Sequence, residues 1–153
     1  MRIAVGSDHA GFRLKEEVVR LLAEDGAEFK DFGVYSPDRM DYPDVGLPVA
    51  EAVASGEFDR GILVCGTGIG MSIVANKVPG IRAALITNEY TAEVTRTHND
   101  SNILVLGERV TDTQTAKRIV SIWLATDFPG EERHAKRIEK IAEIDRKYRK
   151  GVG

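Results

Sequence analysis

Short runs of β-branched and other apolar residues alternate along this chain with longer segments in which apolar residues recur every three or four positions. The first pattern is typical of β-strands and the second of amphipathic helices. The predicted strands cover residues 2–6, 28–32, 61–65, 82–86 and 103–106. The predicted helices cover residues 12–24, 45–55, 71–76, 89–97, a segment opened by the capping-box spacing of Thr111 and Gln114, and 131–150.

This alternation indicates an α/β fold in which helices cover both faces of a parallel sheet. We therefore expect a single Rossmann-like domain over residues 1–153, a three-layer αβα sandwich with a five-stranded parallel sheet. Residues 61–65 form an uninterrupted apolar run, which is typical of a central strand buried on both faces. That strand ends at Cys65.

Composition argues against a nucleic-acid-binding, membrane-spanning or secreted protein. The 153 residues carry a formal net charge of −3, and this mildly acidic balance argues against broad binding to the phosphates of nucleic acid. The apolar runs are too short to span a bilayer, and the first residues lack the pattern of a signal peptide. A single cysteine forms no internal disulfide. We expect a cytoplasmic protein without a nucleic-acid or membrane partner.

Residues capable of chemistry collect after the predicted strands. In open parallel sheets, ligands bind beyond the carboxyl ends of the strands. The candidates that we expect at this edge are Asp8, His9, Cys65, His98, Asn99 and Arg109.

The glycine-rich turn of residues 66–70 follows Cys65 directly. Glycines let successive N–H groups approach an anion where a turn opens a helix, although the same turn also serves as a plain strand-to-helix connection. Met71 stands where a dinucleotide-binding fingerprint needs a small residue and where a P-loop needs lysine. The turn therefore favours an oxyanion or a phosphate over a nucleotide.

Cys65 is either a small core residue or a reactive thiol. Its place beside the start of a helix favours a stabilised thiolate. Phosphatases with a Cys-x5-Arg signature would need arginine at position 71, where this chain has methionine. A thiolate next to an oxyanion-binding turn suits abstraction of a carbon-bound proton beside a carbonyl, which is isomerase chemistry.

Histidine and arginine supply two further candidate features. His98 is either a helix-end surface residue or a functional one. Arg133 and Arg137 lie four positions apart near the start of the last helix, where positive charge opposes the helix dipole unless an anion binds. The alternative for this basic segment is a solvated, charged helix face. No cluster of residues has the spacing of metal ligands.

Together these segments resemble the ribose-5-phosphate isomerase B family, which also contains galactose-6-phosphate isomerase subunits. The matching segments, in chain order, are residues 6–11, 41–44, 65–72, 76–77, 97–99 and 133–137. The resemblance extends over nearly the whole chain. It implies a Rossmann-like domain that interconverts an aldose phosphate and its ketose without a metal or another cofactor.

The resemblance also implies catalytic roles. Cys65 would be the base that moves a proton between C2 and C1 of the sugar, and Thr67 would assist proton movement between the oxygens. His98, helped by Asp8, would open the furanose ring. The backbone amides that would hold the enediolate are those of Gly66, Thr67, Gly68, Ile69 and Gly70.

Substrate-binding roles follow from the same resemblance. The residues expected to grip the phosphate are His9, Arg133 and Arg137, with Arg109 and His134 as further candidates. Tyr42 and Asn99 would contact sugar hydroxyls. Some members of the family replace the cysteine by a glutamate on the following helix, but residues 72–75 contain no carboxylate here.

We expect ribose 5-phosphate and ribulose 5-phosphate as the substrate pair in the pentose phosphate pathway. Alternatives are the same chemistry on a six-carbon or four-carbon sugar phosphate, or a non-catalytic phosphate or nucleotide sensor on the same fold. The resemblance implies a homodimer or dimer of dimers with shared active sites, to which the helix at 131–150 would contribute. Galactose-6-phosphate isomerases divide their site residues between two different chains, whereas this chain carries both sets.

Overall fold

A five-stranded parallel sheet forms the centre of the molecule in the computed structural model, which describes residues 1–149. The strands lie in the order β2-β1-β3-β5-β4. Their bounds are Arg2–Ser7 for β1, Glu28–Asp31 for β2, Arg60–Cys65 for β3, Ala83–Leu85 for β4 and Ile103–Gly107 for β5. The predicted α/β class and five parallel strands are confirmed.

Within residues 1–149, six helices connect and flank the strands. Their bounds are Phe12–Glu24 for α1, Pro43–Ala54 for α2, Ile69–Ala75 for α3, Glu89–Asn99 for α4, Thr113–Ala125 for α5 and Glu132–Arg149 for α6. A single 3-10 turn at His9–Gly11 precedes α1. The predicted last residue of the final helix, Lys150, lies outside the described residues. No helix within residues 1–149 has the length and apolarity needed to cross a membrane.

Two hydrophobic clusters separate the layers. Side chains alternate between the faces of a strand, so Ile62 and Val64 of β3 enter one cluster while Leu63 and Cys65 enter the other. The first cluster includes residues of α1, α4 and α5, and the second includes residues of α2 and α3. The predicted three-layer sandwich is therefore present, with the Cys65 side chain on the α2–α3 face.

The central position of β3 explains its apolar sequence. It pairs with β1 on one side and with β5 on the other, and all six of its residues are buried. In this register Ser7 pairs with Val64, and Cys65 pairs with Gly107. The carboxyl ends of β1, β3 and β5 therefore lie side by side.

The start of α5 differs from the prediction. The N-cap is Asp112, whose Oδ1 accepts a hydrogen bond of 2.9 Å from the N–H of Thr115. Thr111, predicted to open the helix, has a buried hydroxyl without a hydrogen-bond partner within residues 1–149. The capping-box prediction from Thr111 and Gln114 was wrong, because the residue after Thr111 offers a carboxylate at the helix start.

A buried lysine ties α1 to the loop between β2 and α2. The Nζ of Lys15 lies 2.7 Å from Asp31 Oδ2, 2.7 Å from the carbonyl oxygen of Val34 and 2.8 Å from Glu16 Oε1. The side chain has no solvent exposure. These contacts hold the base of the loop that leads to Tyr42.

Candidate active site

Cys65 ends β3 at the carboxyl edge of the sheet, as predicted. Its side chain is buried, and its Sγ accepts a hydrogen bond of 3.2 Å from the N–H of Gly68. This contact folds the glycine turn back over the sulfur. A donor in this position stabilises a thiolate, because N–H bonds to an anionic acceptor are stronger than those to a neutral one.

The glycine turn continues directly into α3. Gly68 is the N-cap residue, with φ of 82° in the left-handed region. The N–H of Ile69 reaches the Thr67 hydroxyl at 3.3 Å, and the first intrahelical bond runs from Ser72 to Gly68. The N–H of Gly70 therefore has no acceptor within the helix, and an N–H left unpaired at a helix start can bind an anionic oxygen.

Arg109 lies over the same turn. Its N–H donates to the carbonyl oxygen of Gly66 at 2.8 Å. A Cβ placed on Gly66 would lie 3.0 Å from the Arg109 Nη1, which shows how closely the guanidinium approaches. The loop after β5 thus places a permanent positive charge next to the turn that follows β3.

Tyr42 packs against the end of the turn at Gly70. A Cβ on Gly70 would meet the Tyr42 ring at 2.7 Å, so only glycine permits this approach. The preceding loop is fastened to His9, whose Nδ1 lies 3.1 Å from both the N and the O of Met40. Either tautomer of His9 bonds to Met40 through Nδ1, and Nε2 is left for another partner.

Asp8 has a structural task at this edge. Its Oδ1 accepts hydrogen bonds of 3.0 Å from the N–H groups of both Ala10 and Gly11, which caps the short 3-10 turn. The side chain is buried. These bonds fix His9 at the end of β1.

His98 and Asn99 do not lie at this edge, and their predicted placement beside Cys65 was wrong. α4 starts after the carboxyl end of β4 and runs back against the strands, so its last turn reaches the amino edge of the sheet. The contacts of Arg82, which directly precedes β4, show this: its Nε donates to the carbonyl oxygen of Asn99 at 3.0 Å. The five residues of β5 alone separate the two edges by about 13 Å.

The start of α6 lies beside the end of α4. The rings of His98 and His134 stack with centroids 4.1 Å apart and planes 14° apart. His134 is buried, and burial lowers the pKa of its imidazole, as do the nearby His98 and Arg133. Glu131 opposes this effect on the His134 pKa. The net effect favours the neutral form of His134.

Arg133 and Arg137 of α6 are exposed near this stacked pair. Arg133 lies four positions before Arg137, so both project from one face of the helix. Arg133 Nε is 3.4 Å from Glu131 Oε2, whereas Arg137 forms no ion pair within residues 1–149. Exposed guanidinium groups are suited to binding a phosphate.

The predicted site residues therefore form two separate sets. The carboxyl-edge set is Asp8, His9, Tyr42, Cys65, Gly66, Thr67, Gly68, Ile69, Gly70 and Arg109. The amino-edge set is His98, Asn99, Arg133, His134 and Arg137. The first offers a thiol and the N–H groups of the glycine turn, and the second offers imidazoles and guanidinium groups.

Lys15 supports the carboxyl-edge set but was not predicted. Its burial had a signal in the sequence, since Lys15, Val18 and Leu22 follow helical spacing and therefore share the apolar face of α1. A buried charge on that face needs a partner of opposite charge, which Asp31 supplies.

The sequence of this chain is similar to those of known sugar-phosphate isomerases. The sequence profile described as Ribose/Galactose Isomerase matches residues 3–141. Ribose-5-phosphate isomerase B of Escherichia coli (strain K12) is 49% identical over 146 residues, which cover 95% of this chain and 97% of that protein. D-erythrulose-4-phosphate isomerase of Pectobacterium atrosepticum is 42% identical, over 92% of this chain and 93% of its own.

A solved structure extends this similarity to the fold. Ribose-5-phosphate isomerase B of Clostridium thermocellum superposes with a TM-score of 0.94 at 57% sequence identity. The alignment covers 97% of this chain and 99% of that structure.

Proposed function

This chain belongs to the ribose/galactose isomerase family, and from that premise we propose that it interconverts ribose 5-phosphate and ribulose 5-phosphate. Cys65 is the proposed base. It removes the proton from C2 of the open-chain aldose, and the proton returns at C1 after the enediolate has formed. The oxygens at C1 and C2 exchange one proton in the same sequence, for which Thr67 is the proposed relay.

The contact between Cys65 Sγ and the Gly68 N–H is the observation that carries this proposal. It joins Cys65 to the turn whose N–H groups are the proposed oxyanion site, so a carbon acid held there would meet the sulfur and these donors together. N–H groups fixed by the backbone stabilise the developing enediolate without reorganisation. Arg109 adds a positive charge to this region.

We propose that a second copy of the chain completes the site. The amino-edge set lies too far from Cys65 in the same chain to act on one small sugar. In a symmetric homodimer, each copy would offer its amino-edge set to the carboxyl-edge set of the other. His98 would then open the sugar ring, and Asn99 and Tyr42 would contact its hydroxyls.

Phosphate binding is assigned in this proposal to His9, Arg109, Arg133 and Arg137. The first two lie at the carboxyl edge and the last two on α6, so the phosphate would join the two subunits. The sequence also suggests His134, but a buried ring is a poor ligand for an exposed phosphate, so His134 is left out of this assignment.

Exposed apolar residues support the participation of α6 in the dimer. Ile141, Ile144 and Tyr148 of this helix are 44%, 57% and 74% exposed, which is costly for large apolar groups in water. A partner subunit would cover them. We propose a homodimer or dimer of dimers built from single domains of residues 1–153.

Deuterium exchange tests the proposed chemistry. In heavy water the protein should exchange the hydrogen at C2 of ribose 5-phosphate for deuterium. Cys65→Ala should abolish this exchange, because it removes the proposed base. Met71→Leu, a volume-conserving change in the same hydrophobic cluster, serves as the control for packing and should retain the exchange. Unchanged exchange in Cys65→Ala would overturn the assignment of the base.

The length of the sugar that the site accepts is a separate question, which initial rates on different substrates can answer. The D-erythrulose-4-phosphate isomerase of Pectobacterium atrosepticum is 42% identical to this chain, so the same chemistry on a four-carbon substrate is the main alternative. Six-carbon phosphates such as allose or galactose 6-phosphate form the other. Initial rates on four-, five- and six-carbon aldose phosphates decide between them, and turnover of none would favour a non-catalytic phosphate or nucleotide sensor.

The cytoplasm is the proposed compartment. A catalytic thiolate must stay reduced, and thiols are kept reduced there. The proposed reaction places the enzyme in the pentose phosphate pathway.

A further inference from the structure

His134 has an unusual setting for a histidine beside a sugar-phosphate site. Only 5% of the residue is exposed, although α6 around it is largely solvated. Its Nε2 has no hydrogen-bond partner within residues 1–149, and the nearest carboxylate oxygen, Glu131 Oε2, is 3.9 Å away. A buried, poorly bonded ring is a poor ligand for an exposed phosphate, so its burial requires another reason.

The ring of His134 stacks on the ring of His98. The two imidazoles are nearly parallel, with an interplanar angle of 14° and a centroid distance of 4.1 Å. Catalytic histidines are usually oriented by a hydrogen bond from one ring nitrogen to a carboxylate or carbonyl group. Within residues 1–149 the His98 ring takes part in no such bond, so the stack is what sets the plane of the ring.

We infer that His134 is a positioning residue that holds the His98 ring in the plane needed to open the sugar. This inference rests on the proposed function. Opening a furanose breaks the bond between C1 and the ring oxygen; the bonding electrons go to that oxygen, which takes up a proton, while the C1 hydroxyl releases one. An imidazole that transfers a proton to the ring oxygen must present a nitrogen at a fixed angle.

Only one of the two sugars in the proposed reaction needs its ring opened, so the two substrates distinguish ring opening from proton transfer at carbon. Ribose 5-phosphate closes to a furanose through its C4 hydroxyl, and it must be opened before C2 can lose a proton. Ribulose 5-phosphate has no free hydroxyl that closes a five-membered ring on its carbonyl, because its C5 oxygen carries the phosphate. Solvent deuterium can therefore enter its C1 position through Cys65 without ring opening.

The test compares these two rates in His134→Ala. Conversion of ribose 5-phosphate should fall about tenfold, since a freely rotating His98 loses its alignment, while deuterium entry into ribulose 5-phosphate should stay within about twofold. His134→Phe keeps a flat ring in the stack and should restore most of the conversion rate. Ile138→Ala, one turn further along α6 and half-buried, controls for loosening of the helix.

A double variant adds a second readout. In a His98→Asn background, His134→Ala should cause no further loss of ribose 5-phosphate conversion, because the positioned group is already absent. The inference is overturned if His134→Ala leaves conversion unchanged, lowers both rates alike, or lowers conversion equally in the His98→Asn background. Failure of the proposed function looks different: the unmodified protein would then carry out neither reaction.

Discussion

Gly68 shows at the scale of one residue why the turn beside Cys65 requires glycine. Its φ of 82° disfavours any side chain, and a methyl group there would also overlap the side chain of Leu85. Both effects act on the residue whose N–H bonds to Cys65 Sγ. Stability and chemistry therefore depend on the same position.

Gly68→Ala should destabilise the protein by about 3 kcal/mol, from the left-handed backbone and the overlap together. Gly56→Ala is the matched control, because Gly56 has a φ of 81° but open space around it, and it should cost only about 1 kcal/mol. Urea unfolding of both variants measures the difference. Equal losses would show that Leu85 yields without cost.

At the scale of an element, the start of α5 depends on one carboxylate. Asp112→Ala should lower the free energy of unfolding by about 1 kcal/mol through loss of the cap. Thr111→Val has nearly the same shape and removes a buried hydroxyl that has no hydrogen-bond partner, so it should be neutral or stabilising. Thermal unfolding of the pair decides this, and the opposite order would assign the cap to Thr111.

The contacts of Lys15 link α1 to the loop before α2. Replacing Asp31 and replacing Lys15 should change the stability of the protein by different amounts. Asp31→Asn leaves the buried Lys15 ammonium without its closest carboxylate and should cost about 2 kcal/mol, somewhat less than for a fully buried pair. Lys15→Met removes the charge itself and should change stability by less than about 1 kcal/mol.

The double variant Lys15→Met/Asp31→Asn should accordingly be more stable than Asp31→Asn alone. Denaturant titration of the three variants measures the coupling. If the double variant were instead less stable than the single one, the ammonium would be satisfied by Glu16 and the Val34 carbonyl, which are its other partners.

At the scale of the whole molecule, the two sets of site residues make complementation the decisive experiment. Chains with Cys65→Ala and chains with His98→Asn should each be nearly inactive on ribose 5-phosphate. When equal amounts are co-expressed, half of the randomly formed dimers are mixed, and each mixed dimer has one intact site if sites are shared. Activity should then return to about a quarter of the wild-type value per chain.

The control replaces the second partner by a chain with both substitutions, Cys65→Ala/His98→Asn. Mixing it with Cys65→Ala chains leaves no intact site, so activity should stay absent. If the first mixture also remained inactive although mixed dimers were isolated by two affinity tags, each site would have to lie within one chain.

Much of this protein follows from local sequence alone. The spacing of apolar residues located all five strands and gave the bounds of α1 as Phe12–Glu24, because each element must bury one face whatever its neighbours are. The uninterrupted apolar run before Cys65 indicated the central strand, since only a strand covered on both faces excludes polar residues.

The tertiary structure decided which residues meet. The sequence placed His98 near the end of a helix, but the direction of that helix relative to the sheet puts it at the edge opposite Cys65. A helix that joins two parallel strands must return to the amino edge, so the connection itself contained this signal. The burial of Lys15 and the stacking of His134 on His98 depend on contacts between distant segments, which periodicity within one element does not determine.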